Sequence, residues 1–533
     1  MFSVLSSIWL AFPLVLPLRA SAQQVVMSPS EPNTVTPALE PPQNCAACHD
    51  GFDESPNRAW EGTMMANAMR DPLFTAALTI ANQDIPGIGE FCLRCHTPPG
   101  WLLGHCAPGN LSLVTGNDWE GITCDACHRM TQHPDGPLIG NAEYTIFNGY
   151  AKTGTFAASE SPHEVTQDPF LESAELCGVC HEVTNPLFQD FPIERTYSEW
   201  ASSAFAVEGE TCQDCHFPRK NGFASNHTGI PAREINLHRM VGGNAFIPRV
   251  LAGEYPELGR GDAFERTASD AEALLQEAAV VTIDPVEVQR GAPASFEIRV
   301  ENVSGHKLPS GYPEGRRAWL EVYVRDGSGR ELMRSGVYDD ATQTLDRSEP
   351  QLRTYEARLG SDGVFSYHMV EQNQILFDGR IPPRGFVSRP DLAPVGREYP
   401  VQPDGTLAHW DLAPYTFDVP EDVVEPVQVT ARLLYQTTTR EFVEFLRDAN
   451  LTDTLGQEMY DLWVAYGQDP PTQMELAVAT FPVAAPPVTT LPDDEDEITP
   501  HHCGCRSTSG APLGLLAPLV LAGVASTRRR REA

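Results

Sequence analysis

The chain has 533 residues, enough for two or three domains with a sizeable core. It carries 72 acidic against 37 basic residues, a net charge of −35, and its only lysines are Lys152, Lys220 and Lys307. That balance argues against nucleic acid or an anionic membrane surface as partner; it suits a soluble exported protein, or one that docks a basic partner.

The N-terminus reads as a signal peptide over residues 1–22: residues 2–18 are apolar and Ala20-Ser21-Ala22 offers a small-residue cleavage site, although the charged n-region is missing. Residues 23–44, rich in Pro, Ser and Thr, read as a flexible lead-in.

From residue 45 to 265 the chain is organised by one pattern repeated five times: Cys45-Ala-Ala-Cys48-His49, Cys92-Leu-Arg-Cys95-His96, Cys124-Asp-Ala-Cys127-His128, Cys177-Gly-Val-Cys180-His181 and Cys212-Gln-Asp-Cys215-His216. Cys-x-x-Cys-His is the attachment pattern of c-type haem: the two thiols add across the vinyl groups, and the adjacent imidazole is the proximal iron ligand. Five copies predict five covalently attached haem c groups. Ten of the 13 cysteines are thereby used, which leaves Cys106, Cys503 and Cys505 and excludes a disulfide framework as the meaning of the count. Cys106 is expected to be an inert buried thiol. Regular structure looks sparse here, with helical stretches over residues 60–82 and around each motif, so five porphyrins are expected to act as the apolar core.

A weak internal repeat, Trp60-Glu-Gly-Thr63-Met-Met65-Ala66 against Trp200-Ala-Ser-Ser203-Ala-Phe205-Ala206, points to duplication of a haem-binding unit. A low-spin haem needs a second axial ligand, and histidines outside the motifs and the tail are His105, His133, His163, His227, His238, His306, His368 and His409. His238 closes the haem region, and His306 lies in a dense loop, Asn302-Val-Ser-Gly-His-Lys-Leu-Pro-Ser-Gly, between two expected strands. Both are candidate distal ligands, the second tying the following domain to the haems. Met65 is a further candidate, its alternative being a core methionine beside Met64 and Met69.

After a short helical stretch over residues 268–277 the texture changes to period-two alternation, as in Phe296-Glu-Ile298-Arg-Val300, Leu320-Glu-Val322-Tyr-Val324 and Val427-Gln-Val429-Thr-Ala431. This predicts an all-β domain over residues 278–483, an immunoglobulin-like sandwich, interrupted by helices at 441–450 and 455–466. The fold class is thus a mainly α and irregular multihaem cytochrome domain followed by an all-β domain. Residues 484–500 read as an acidic Pro/Thr linker. Residues 501–533 carry Cys503-Gly-Cys505, an apolar run broken by Pro512 and Pro518, and four arginines. The apolar run is shorter than the ~20 residues a membrane span needs.

That tail resembles the MYXO-CTERM sorting signal, which implies processing near the cysteine pair and display at the cell surface; a plain C-terminal anchor is the alternative. The Trp-x-x-[Ser/Thr] words, the five haem motifs and the Gly305-His306-Lys307-Leu308-Pro309 loop resemble the multihaem cytochromes of the c-552/c-554 group over residues 44–317. The resemblance implies closely packed haems in parallel and perpendicular pairs. It also makes His163, in Ser161-Pro-His-Glu, a distal ligand, and marks positions 65 and 205 as places where relatives carry a ligating histidine. Phe205 cannot ligate iron. The function expected is electron transfer outside the cytoplasm, in the periplasm or at the cell surface, with redox proteins as partners. A haem reductase acting on a small nitrogen or sulfur species is the alternative; pentahaem nitrite reductases share the haem number, but their catalytic motif typically ends in Lys, and all five here end in His. A third reading gives the sandwich an adhesive role.

Overall fold

The computed structural model describes residues 30–156 and 161–484. The expected signal peptide, the first part of the lead-in, residues 485–500 of the linker and the sorting segment lie outside the described residues.

Four haem motifs end or form short helices, Pro42–His49, Gly89–His96, Cys124–His128 and Cys212–His216. The remaining one, the fourth in the chain, begins in the last turn of Ala174–Gly178 and continues beyond it, with the His181 N–H donating to the Cys177 carbonyl (2.9 Å). One helical turn puts cysteines at i and i+3 on the same side as the histidine at i+4, the placement that two thioether bonds and one axial bond require. The stretch over 60–82 is not one helix. It consists of Pro56–Trp60 and Pro72–Asp84, with a tight turn region between them. Gly62 in that turn abuts the helix Gly261–Glu277 so closely that an added Cβ would stand 2.3 Å from the Ala263 carbonyl oxygen. Asn67 fixes the turn by donating its side-chain amide to the carbonyls of Glu61 (2.9 Å) and Thr63 (2.8 Å). Asp71 then caps a new helix with Pro72 at its first position. Met65 therefore sits in a turn rather than on the expected helix.

The sheet-rich region contains two larger antiparallel sheets. In one, Pro293–Asn302 runs between Trp410–Asp418 and Ala279–Ile283. In the other, the order is Glu331–Ser335, Arg317–Arg325, Val427–Gln436 and Thr472–Phe481, with Arg353–Tyr355 also paired to Arg317–Arg325. Alternate residues of both sheets, among them Phe296, Ile298, Leu320, Val322, Val429 and Leu433, meet in a single apolar cluster. The two interrupting helices are Arg440–Ala449 and Leu455–Ala465. Their apolar faces do not stay with the sheets. Phe442, Val443, Leu446, Met459 and Trp463 pack with Leu73, Ala76 and Ile80 of helix Pro72–Asp84 and with Phe246 and Val250. Haem-motif region and sheet-rich region thus share a core, and residues 30–484 belong to one unit. Among the described residues no helix is long and apolar enough to cross a membrane.

Candidate haem sites

Four of the five motif histidines direct Nδ1 at a backbone carbonyl. The partners are Ala224 for His49 (2.6 Å), Ala68 for His96 (3.3 Å), Thr153 for His128 (2.8 Å) and Val241 for His216. A proton held on Nδ1 leaves the Nε2 lone pair free, the tautomer a metal needs. Burial pushes His96 and His216 down to about 4, and it also lowers His49 and His128, so these rings are neutral. His181 differs: its Nδ1 lies 3.5 Å from the Glu194 carboxylate. Against desolvation, that carboxylate holds the His181 imidazole above its ordinary value.

Three motif histidines face a second histidine ring. His163 stands opposite His49 with 6.4 Å between ring centroids, His238 opposite His128 at 6.1 Å, and His306 opposite His216 at 6.3 Å. An imidazole–metal bond for a first-row ion is about 2 Å and the ring centroid lies about 1 Å behind the nitrogen, so two rings sharing one iron stand about 6 Å apart. The chain's own spacing fits the group. Burial pushes His238 down to about 4, leaving it neutral like its partner. Among the described residues, His96 and His181 face no second histidine at that spacing. The ring lying flat against His96 is Phe74, 3.5 Å between centroids and 6° between planes.

The remaining histidines have other partners. His105 lies 2.7 Å from Asp118, His133 lies 3.8 Å from Asp135, His368 pairs with Asp84 at 2.8 Å, and His409 lies 3.3 Å from Glu301; His227 is exposed. Met65 gives its backbone carbonyl to the N–H of Ile122 (3.1 Å), just ahead of the third motif, where His238 already faces His128. The turn that replaces the expected helix sets it there.

None of the ten motif cysteines forms a disulfide, as attachment requires. Their neighbours are one another. Cys45 lies beside Cys124, Cys95 beside Cys180, and Cys177 beside Cys212. First and third motifs therefore abut, and the fourth abuts both the second and the fifth. Cys106 is buried within an apolar cluster with Met69, Leu78 and Leu93, and burial pushes its thiol far up, the setting of an inert cysteine.

The His306 loop is anchored by a buried polar network that sequence reading missed. Lys307 Nζ pairs with Asp378 at 2.6 Å, both side chains buried, and Arg380 pairs with Asp378 at 2.8 Å and with Glu199 at 2.9 Å. Glu199 sits on Thr196–Ala201, between the fourth and fifth motifs, and also accepts from the Lys307 N–H (3.2 Å) and the Ser310 hydroxyl (2.7 Å). Burial acts to raise Asp378, and Arg380 and Lys307 overcome it, so the carboxylate stays ionised well below its usual range. A lysine directly after a candidate ligand was the one available signal; its partner, far along the chain, was not.

The model of the cytochrome c554 and c-prime family matches residues 44–129. Among solved structures, a penta-heme cytochrome c552 from Thermochromatium tepidum is similar at 17% identity with a TM-score of 0.52, covering 83% of this chain and 99% of that one. At that identity the likeness concerns the fold, and its extent takes in the sheet-rich region as well as the motifs. Two other solved structures overlay poorly. They are an enzyme catalysing macrocyclization in alchivemycin A biosynthesis (12% identity, 40% of this chain, 93% of that chain, TM-score 0.15) and a Pseudomonas fluorescens alkylpurine DNA glycosylase (7%, 44% and 42%, TM-score 0.13). No curated protein matches. The family match and the fold support a multihaem c-type cytochrome with covalently bound haem, followed by a sheet-rich region.

Proposed function

We propose that the chain is a pentahaem cytochrome that carries electrons outside the cytoplasm, one haem c on each of the five motifs. The cysteine pairs hold the porphyrins, and His49, His96, His128, His181 and His216 supply the proximal ligands. Bound haem supplies a one-electron iron couple; the chain supplies ligands, spacing and an apolar setting. The observation that carries the reading is the three facing histidine pairs at 6.1–6.4 Å. They support His163, His238 and His306 as the distal ligands of the first, third and fifth sites.

The thiol neighbours support an order. Sites one and three form one close pair, sites two and four another, and site five adjoins site four. Cys127 of the third motif lies close enough to Cys177 and Cys180 to affect both thiols, which links the two groups. Site four is the junction. Export, a cell-surface location through the C-terminal segment, basic redox partners and an immunoglobulin-like sandwich in the sheet-rich region belong to the same reading.

Pyridine haemochrome analysis of the purified protein tests the count, with five haems per chain expected. Electron paramagnetic resonance tests the ligation. Three low-spin bis-histidine signals are expected; fewer than three would overturn the assignment.

A second reading, a haem oxidoreductase acting on a small nitrogen or sulfur species, is favoured by one observation: His96 and His181 face no second histidine among the described residues. Two irons open on one side, next to each other, are the setting for such chemistry.

A further inference from the structure

Glu194 is the one side chain that separates a motif histidine from the other four. The chain after the fourth motif forms a hairpin in which Val183–Asn185 pairs antiparallel with Phe191–Glu194, and Val183 stands opposite Glu194. The hairpin thus returns a carboxylate to the ring two residues before Val183, with Glu194 Oε1 3.5 Å from His181 Nδ1. The other four rings meet neutral carbonyls at this nitrogen. A full negative charge 3.5 Å from Nδ1 favours positive charge on the ring and its metal and so stabilises ferric over ferrous iron; a neutral carbonyl does so less. The other charges within reach of Glu194 are Arg316, His96 and Glu314. Arg316 acts on Glu194 as a nearby positive charge and is bonded to the Ser310 carbonyl, so it tempers the effect of the carboxylate without replacing it.

We propose that Glu194 is a positioning residue that lowers the reduction potential of the haem on the fourth motif. This rests on the reading that each motif carries a haem. The junction between the other haems is then biased toward its ferric state, so an electron passes through it rather than resting there, and an anionic ligand at an open fourth iron would find the ferric form.

Spectroelectrochemical titration of the intact, fully loaded protein tests this, comparing wild type with Glu194→Gln and Glu194→Asp. In the Gln variant one of five one-electron steps moves upward by about tenfold in its redox equilibrium, about 59 mV, and four stay in place. The Asp variant keeps the charge and restores most of the wild-type value. Resonance Raman of the reduced protein gives a second readout, the iron–histidine stretch of that haem falling in frequency in Glu194→Gln. Five haems with unmoved steps, or with several steps moving together, overturn the proposal. Fewer than five haems in the wild type overturns instead the reading on which it rests.

Discussion

Lys307 and Asp378 form a buried ion pair of 2.6 Å directly behind His306, the histidine whose ring faces His216. The pair joins the loop carrying His306 to the sheet-rich region, while Glu199 ties the same loop to the helix between the fourth and fifth motifs. A loop ligand reaches an iron reproducibly only when its backbone is held on both sides, and this network holds it. Lys307→Met leaves Asp378 with Arg380 alone and lowers unfolding free energy by about 3 kcal/mol, the lower end of the cost of breaking a buried pair. Urea denaturation measures the loss, and a fifth-site low-spin signal that broadens reports the loosened ligand.

Removing the candidate ligands themselves gives separable outcomes. His306→Ala, His163→Ala and His238→Ala each convert one haem from low-spin to high-spin, at the fifth, first and third sites in turn. The resonance of a single low-spin species disappears in each variant, and added imidazole restores it by filling the space the side chain leaves. A variant whose spectrum matches wild type would remove that histidine from the ligand set.

Much of this site was legible because haem chemistry dictates local spacing. The five motifs announce themselves within five residues each, and His306 stood out in a loop too rich in Gly, Pro and polar residues to be an ordinary hairpin. The helices Arg440–Ala449 and Leu455–Ala465 were also visible as a change of period, within one residue at most ends. Their packing on Pro72–Asp84 was not visible, because an apolar helix face does not say which surface covers it. His163 was legible as a candidate ligand and the ring it faces was not: the ring opposite His49 is chosen by long-range folding, with no spacing to count. Glu194 was missed altogether, since a glutamate in a short hairpin carries no signal until the hairpin closes. The turn at residues 61–71 was misread as helix because its residues are good helix formers; Gly62 against Ala263 and the Asn67 amide override that preference.

The internal repeat has a structural meaning that supports a third prediction. Trp60 donates its indole N–H to the carbonyl of Ile122 at 3.0 Å, two residues ahead of the third motif, and Trp200 donates to Glu210 at 2.9 Å, two residues ahead of the fifth. Both bonds position the strand of backbone that enters a haem helix. Trp60→Phe removes the donor and strands a carbonyl in a part-buried setting, at a cost of about 1–3 kcal/mol. Trp200→Phe costs less, because its bond is exposed and water can replace the donor. Thermal melting of the two variants checks the ranking.

Asp469 gives a pH signature outside the haem motifs. It is buried where Gln436, Thr437 and Thr438 leave the sheet, and its Oδ2 accepts the Thr438 N–H at 2.7 Å. Burial pushes its carboxyl up to about 7, against the opposing backbone hydrogen bonds and the charge of Arg317. An unfolded aspartate titrates near 3.9. Between about pH 4 and pH 7 the unfolded chain has therefore released this proton while the folded chain keeps it, so its contribution to stability falls as pH rises through that window and levels off above it. The full loss is on the order of 4 kcal/mol at most, at 1.36 kcal/mol per pKa unit. Asp469→Asn keeps an acceptor, stays neutral and tolerates the left-handed backbone at this position (φ 48°). Urea midpoints at pH 5 and pH 8 should differ less in the variant than in wild type; an equal difference would assign the pH dependence elsewhere.

The sharpest prediction concerns the two sites without a facing histidine. His96 has Phe74 flat against it, and His181 has Glu194 behind it; neither arrangement supplies an atom that bonds iron on the far side. The purified oxidised protein should show two high-spin haems beside three low-spin ones, and cyanide should convert the high-spin pair while leaving the other three unchanged. Met65→Leu should leave that pattern intact, because the turn sets Met65 ahead of the third motif, where His238 already faces His128. A Met65→Leu variant that gains a third high-spin signal would return the thioether to the ligand set. Five low-spin signals in the wild type would mean that both remaining irons are capped by groups other than a facing histidine, and the oxidoreductase reading would lose its only support. Two cyanide-binding irons side by side would instead give the chain a place to use the electrons that its other three sites carry.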